Sequence, residues 1–294
     1  MIAYSERACT VIVPVFEEWH LIPALLASLE RQTIGKSAFE VLLVDNGSSE
    51  FIHPENATVK FRVLHCSEPG SYAARNRAVE AATTDWLVFT DADCRPEKEW
   101  LEELMLAAST SKVGCDVILA GRVKMTSSTS RPMPLEIYDL VRGIPQQWYV
   151  SRGYATTANL AVNAETLRRV GGFDPRFFSG GDTDICRRAT ASGAALEYVE
   201  KAVVAHPARR TWDQISRKVR RIKGGQFLRG NKSDRLFVAL RTVFPPVPAI
   251  ARFLLNRDQP LGYRLCAVII HLRVWMVEIG EIVRLGRRRQ PERR

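Results

Sequence analysis

The sequence predicts an α/β protein: a mainly parallel sheet with helices on both faces, continued by a basic helical extension. Three observations carry this reading. Short apolar, β-branched runs alternate with helical leucine and alanine spacings over the first hundred residues. One of these runs, Trp86–Phe89, ends at Thr90 and then two aspartates one residue apart, Asp91 and Asp93. Finally, the positive charge of the chain is confined to its last third.

Thr10–Val15 is apolar and β-branched, and Leu21, Leu25 and Leu29 follow at helical spacing within Glu17–Arg31, giving a strand and then a helix. Phe39–Val44 repeats the strand pattern and stops at the turn-forming run Asp45–Ser49. Lys60–His65 is a third strand, Ser71–Ala82 an alanine-rich helix behind Pro69 and Gly70, and Asp85–Thr90 a fourth strand. Pro96 opens a helix whose acidic first turn suits the helix dipole, running to about Ser109. Val117–Val123, Thr156–Val162 and Leu196–Val204 read as further strands, and Thr126–Pro134, rich in Ser, Thr and Pro, as a mobile loop. Between the last two strands lie a helix near Ala164–Val170, the Gly171-Gly172 turn, and a helix opened by Gly180-Gly181-Asp182.

A chain of 294 residues with 46% hydrophobic and 25% charged content can bury a substantial core. Its net charge of +10 is unevenly placed: residues 1–206 carry 21 Lys+Arg against 26 Asp+Glu, and residues 207–294 carry 21 against 6. The expected division is therefore 1–206 and 207–294, with an anionic partner for the second part. Six widely spaced cysteines without a CxxC pair suggest neither a zinc site nor a disulfide framework. The first fifteen residues lack the basic and apolar regions of a secretion signal, so a cytoplasmic location is expected.

Adjacent carboxylates at the end of a buried strand repel each other unless a cation or ligand separates them, so a divalent metal carrying a phosphate is the natural third party. A surface turn is the plain alternative. No GxGxxG follows the first strand, which argues against a classical dinucleotide site. Asp45 has the chemistry to accept from a base imide, and Arg75 to face a base carbonyl or a diphosphate. Two other readings compete. A phosphotransferase of the HAD type would want its nucleophilic aspartate near the first strand, which here ends in Pro-Val-Phe. A nucleic-acid-binding role would rest only on residues 207–294, which lack aromatic interleaving or a familiar recognition module.

Taken in order, VIVPVFEE, LLVDNGSSE, GSYAARNRAVEAATTDWLVFTDADCRP and ANLAVNAETLRRVGGFDPRFFSGGDTDICRRATASG resemble the family 2 glycosyltransferases of the GT-A fold over about residues 9–206. The resemblance implies an inverting, non-processive transferase; the QxxRW motif and transmembrane helices of the processive synthases are not recognisable. It implies that Pro14, Val15, Phe16 and Glu18 line the nucleotide of a nucleotide-diphosphate sugar, UDP-linked by expectation. Phe16 and Glu17 stand where that motif usually has Tyr and Asn. Asp45 matches the base-reading aspartate and Arg75 the arginine near base and phosphate. Asp91 and Asp93 match the DxD motif, with His206 completing the shell of a Mn²⁺ or Mg²⁺ ion. Asp182 matches the catalytic base, with Gly181 where Glu is common, and Asn159, Gly180 and Gly181 fall on the acceptor side. A glycan or lipid-linked acceptor, in cell-envelope glycan assembly, is implied.

The extension is expected to hold the enzyme on an anionic membrane surface, the inner face of the cell membrane, without spanning it. Arg209, Arg210, Arg217, Lys218, Arg220, Arg221 and Lys223 form one basic cluster, and Arg287–Arg289 with Arg293 and Arg294 another. Leu236–Leu255 and Leu265–Val277 are apolar but interrupted by charge or proline. In Arg264–Leu285, Arg264, His271 and Glu278 recur every seven positions on one side, a partial amphipathic pattern. Basic residues near an anionic leaflet attract it by about 1 kcal/mol each. A helical subdomain packed on the catalytic core is the alternative.

Overall fold

The structure, a computed structural model, describes residues 8–55, 57–111, 114, 116–177, 179–228 and 231–287. The second predicted basic cluster lies mostly outside them; Arg287 alone of its five arginines is described. The chain forms two compact units: one of Met1–Lys124, Pro145–Pro175 and Gly181–His206, the other of Met125–Ile144, Arg176–Gly180 and Pro207–Arg294. The extension therefore shares its unit with two segments taken from within the expected first domain.

In the first unit, strand β1 (Cys9–Val15) leads through a short 3-10 turn at Trp19–Leu21 into helix α1 (Ile22–Leu29), where one longer helix was predicted. Strands β2 (Phe39–Asp45), β3 (Phe61–His65), helix α2 (Ser71–Ala81) and β4 (Trp86–Phe89) follow. The short strand β5 (Arg95–Pro96) precedes α3 (Trp100–Thr110) and β6 (Val117–Thr126). Past α4 (Pro134–Arg142), which belongs to the second unit, come α5 (Gln146–Val150), β7 (Leu160–Asn163), α6 (Ala164–Arg169), α7 (Gly181–Ala191) and β8 (Ala195–Pro207).

These strands form one sheet among the described residues, in the order β3-β2-β1-β4-β7-β6-β8-β5. It is parallel across β3, β2, β1 and β4, while the β4–β7, β6–β7 and β5–β8 pairs are antiparallel. The parallel half is where the sequence runs are unbroken: β2 is buried at every position, as a strand covered on both faces must be. The chain builds outward from β1 to β2 and β3, then returns to place β4 on the other side of β1. That reversal makes the carboxyl ends of β1, β2 and β4 the topological switch point, the usual ligand position in such sheets.

The second unit contains α4, α8 (Trp212–Leu228), α9 (Lys232–Val243), α10 (Val247–Leu255) and α11 (Leu261–Gly286). Its own core joins Tyr138 and Val141 of α4 to Ile215 and Val219 of α8, Phe253 of α10, and Ala267, Ile270 and Val274 of α11. The heptad-spaced polar residues of α11 turn out to face protein. Arg264 donates to the Gln259 carbonyl, the His271 ring meets the Tyr138 hydroxyl at 3.1 Å, and Glu278 pairs with Lys223 at 3.1 Å. The open side of α11 is instead apolar: Leu261, Leu265, Ile269, Leu272, Met276 and Val283 are all exposed at helical spacing. Among the described residues no single helix is long and apolar enough to cross a membrane; α9 and α10 reach that composition only together, bent by 53°.

Candidate active site

The register of the parallel strands assembles the site. Val15 sits opposite Asp45, and Ile12 opposite Phe89, so the loops after β1, β2 and β4 leave the sheet side by side. Asp45, 7% exposed, accepts the Trp19 indole Nε1–H at 2.9 Å and the backbone N–H groups of Gly47 and Ser48 at 3.3 and 3.4 Å. Burial alone would push its carboxyl up, but the Trp19, Ser48 and Gly47 donors outweigh burial and hold it below the ordinary aspartate value. His65 Nδ1 lies 3.6 Å away.

The β1 loop is clamped to the β2 loop by Glu17. Its backbone is left-handed, with φ at 57°, and its carboxylate accepts from the Ser49 N–H and hydroxyl at 2.9 and 2.8 Å. The Glu17 N–H donates in turn to Ser48 Oγ at 3.0 Å. Asn46, also buried, bonds the Cys66 and Glu68 carbonyls and the Gly70 N–H, fixing the entry to α2. Pro14 and Val15 lie at the end of β1, with Phe16 and Glu18 half-buried in the loop beyond.

Across β1, Arg75 comes from the buried side of α2 and donates to Asp91 Oδ1 at 2.8 Å. The arginine is 4% exposed, and its Nε has no partner. Asp91 and Asp93 leave β4 on the turn before β5. Because β5 pairs with β8, with Arg95 opposite Ala205, His206 is carried to this turn and its Nε2 lies 3.7 Å from Asp93 Oδ2. Ligand atoms of Asp91, Asp93, Cys94 and His206 lie within 4.8 Å of one another. Two carboxylates and an imidazole fit a hard or borderline divalent cation. Cys94 fits it less well: burial first, then Asp93 and Asp91, hold its thiol well above the ordinary range, so it stays protonated.

Asp182 lies in the first turn of α7, not ahead of a helix as a cap. One oxygen, Oδ2, accepts from the Thr157 N–H and hydroxyl at 3.2 and 3.4 Å; the other, Oδ1, is buried without a partner. Beside it stands Tyr72, whose phenol is pushed up by burial and then by the Asp182 charge. The Tyr72 hydroxyl accepts the Gly181 N–H at 3.0 Å, and its ring lies so close that a Cβ on Gly181 would sit 2.7 Å from it. Gly181 is therefore required by Tyr72; a larger residue would collide with the ring. Gly180 has φ 79°, a left-handed conformation suited to glycine.

Asn159 is a correction. Expected on the acceptor side, it is fully buried and its amide is used up inside the sheet: it accepts from Trp100 Nε1 at 2.8 Å and donates to the Arg122 and Ala202 carbonyls at 2.9 and 2.8 Å. Trp19, Tyr72, Thr157 and the Glu17 clamp were not foreseen. Only the first had a visible signal, a tryptophan four residues past the end of a core strand.

The model of the family described as "Glycosyl transferase family 2" matches residues 10–177, more than half of the chain. Among curated proteins, the chain is 33% identical over 242 residues to "Glycosyltransferase AglE" of Haloferax volcanii, covering 80% of this chain and 77% of that one. It is 31% identical over 227 residues to the "Pre-mycofactocin glycosyltransferase" of Mycobacterium tuberculosis, covering 73% of this chain but only 46% of that protein. Among solved structures, the mannosyltransferase PcManGT of Pyrobaculum calidifontis, in complex with GDP-Man and Mn²⁺, superposes with a TM-score of 0.59 at 18% identity, covering 95% of this chain and 85% of that one. Residues 1–349 of S. aureus TarS, in complex with UDP-GlcNAc, superpose with a TM-score of 0.54 at 17% identity, covering 91% and 72%. The chain belongs to glycosyltransferase family 2 and has the GT-A fold. It is a glycosyltransferase.

Proposed function

We propose that the enzyme transfers one sugar at a time from a nucleotide-diphosphate sugar, UDP-linked by preference, to an acceptor hydroxyl, with inversion at the anomeric carbon. The observation that carries this reading is the meeting of Asp91, Asp93 and His206 at the switch point of the sheet, with Arg75 paired to Asp91. Pro14, Val15, Phe16 and Glu18 line the nucleotide, and Asp45, kept ionised by its donors, accepts from the base. Arg75 stands by the phosphates with one unpaired N–H. Asp91, Asp93 and His206 would hold a Mn²⁺ or Mg²⁺ ion, which when bound neutralises charge on the departing diphosphate.

Asp182 acts as the base. Thr157 orients one oxygen, and the carboxylate takes the proton of an acceptor hydroxyl as the hydroxyl oxygen attacks. Gly180 and Gly181 fall on the acceptor side. We assign residues 1–206 to catalysis and 207–294 to attachment, at the inner face of the cell membrane, where a lipid-linked or glycan acceptor of envelope assembly is met. The exposed apolar stripe of α11 and the basic balance of the extension support attachment without spanning. A melting-temperature screen of UDP- and GDP-sugars, with and without Mn²⁺, tests the donor reading, since a ligand that binds the folded state raises apparent stability. A rise that needs both sugar nucleotide and Mn²⁺ supports it; no rise with any nucleotide would exclude it.

A further inference from the structure

Helix α2 carries Tyr72, Arg75 and Asn76 on one face, at the spacing that makes them neighbours. Each reaches a different part of the first unit. Arg75 donates to Asp91, with its guanidinium 5.6 Å from the centre of the Tyr72 ring. Asn76 grips the backbone of Phe173 twice: its amide donates to the Phe173 carbonyl at 2.7 Å and accepts the Phe173 N–H at 2.9 Å. The Phe173 ring stacks on that of Tyr72, 5.7 Å between centres, and meets the Phe89 ring at the end of β4 edge-on at 5.3 Å. Tyr72 itself takes the Gly181 N–H. One helix face therefore fastens both ends of the stretch from Phe173 to Gly181, which delivers Asp182.

The Tyr72 bond serves a helix start. Gly181 is the first residue of α7, so its N–H has no acceptor within the helix, and Gly180 ahead of it has no side chain to supply one. A phenol from another element supplies it instead. The bond is buried, since Tyr72 is 6% exposed and its ring lies against Gly181 with no room for a Cβ. Asp182 follows directly, so the bond sets where its carboxylate stands, and Thr157 then engages one of its oxygens. The phenol keeps its own proton, because burial and then the Asp182 charge push it up. Tyr72 is thus a neutral group beside the carboxylate and does not compete with it for an acceptor proton.

We propose that Tyr72 is a positioning residue for transfer, its hydroxyl holding the first turn of α7 so that the Asp182 carboxylate meets the attacking hydroxyl. The inference rests on the reading of Asp182 as the base. In the step itself the acceptor oxygen forms a bond to the anomeric carbon and its proton passes to Asp182. The bond from that carbon to the diphosphate oxygen breaks, and its electron pair leaves with the diphosphate. Tyr72 gives and takes nothing; it acts through geometry, where a misplacement of about 1 Å can cost on the order of a hundredfold in rate.

The test is hydrolysis of the nucleotide sugar found by the melting-temperature screen, in Mn²⁺, where water takes the acceptor's place and gives its proton to the same base. Tyr72→Phe keeps the buried ring beside Arg75 and loses only the hydroxyl. Its kcat is expected to fall about tenfold, with the donor KM and the donor affinity measured by calorimetry within about twofold of wild type. In the Asp182→Asn background the same change should alter kcat by less than about twofold, since a residue that acts through the base has nothing left to position. Phe173→Leu loosens the ring packing but leaves the hydroxyl and both Asn76 bonds, so it should lower the melting temperature and hold kcat within about twofold. An unchanged kcat in Tyr72→Phe, an equal fall in Phe173→Leu, or an undiminished further fall in the Asp182→Asn background overturns the proposal and leaves the base in place. A loss explained by weaker donor binding also overturns it, by placing the effect at Arg75. Hydrolysis by Asp182→Asn at the wild-type rate instead removes the base, and the proposal with it.

Discussion

At the carboxyl edge of β1, β2 and β4 the charged side chains are cross-braced: Asp45 to Trp19, Glu17 to Ser49, Arg75 to Asp91. In the helical unit, among the described residues, six large apolar residues lie open along α11. The first arrangement holds groups at fixed positions before any ligand arrives, as catalysis of group transfer requires. The second leaves apolar area uncovered, as a surface meant for a partner does. The contrast can be broken or sharpened by mutation.

The largest effect is expected at Asp182. Replacement by Asn keeps the shape and the place in α7 but removes the base, so transfer should fall by about a hundredfold or more, about 3 kcal/mol in the barrier. Steady-state rates against donor affinity check it; unchanged transfer would move the base elsewhere.

Asn159→Ala comes next, and it acts on stability. It strands the Trp100 indole N–H and two strand carbonyls in a dry interior, so a loss of about 2–4 kcal/mol is expected from urea denaturation. Gly181→Ala should cost about 1–3 kcal/mol by forcing the Tyr72 ring aside. If Tyr72→Ala restores the stability of Gly181→Ala relative to Tyr72→Ala alone, the collision is the cause; additive losses would point to another one.

These two residues mark where the sequence could and could not be read. The alternation of apolar runs and helices identified β1 to β4, because buried parallel strands lose their periodicity in a recognisable way. The pair Asp91 and Asp93 was legible because two adjacent carboxylates need a reason. The role of Asn159 was not, since its three partners, Trp100 on α3, Arg122 on β6 and Ala202 on β8, meet only in the folded chain. Tyr72 and Thr157 were hidden for the same reason: a phenol on one helix and a hydroxyl far along the chain meet Asp182 only in space. On α11 the sequence showed a polar heptad but not its direction, and Arg264, His271 and Glu278 turned toward Gln259, Tyr138 and Lys223.

Smaller effects concern acid. His271 is depressed to about 4 by burial, then by Arg142 and Arg252. A base depressed in the folded state takes up its proton more readily when unfolded, so its contribution is full above about 6.5 and is lost as pH falls from there to about 4. Asp45, lowered in the folded state, gives way only below its ordinary aspartate value. Denaturation of wild type and His271→Gln at pH 7 and pH 5 should show a smaller pH-dependent loss in the variant; equal losses would remove His271 from the account. Trp19→Phe takes one donor from Asp45 and should weaken stability by about 1–2 kcal/mol at neutral pH, with less of that difference in strong acid.

The central claim is that Asp91, Asp93 and His206 bind the donor through a cation while Asp182 serves only the chemical step. Titration of the nucleotide sugar found by the melting-temperature screen, in Mn²⁺ and in EDTA, measures this on wild type, Asp93→Asn and Asp182→Asn. Binding in Mn²⁺ that is lost in EDTA and in Asp93→Asn, yet kept within a few-fold in Asp182→Asn, is the predicted result. Undiminished Mn²⁺-dependent binding by Asp93→Asn, or its collapse in Asp182→Asn, would contradict it.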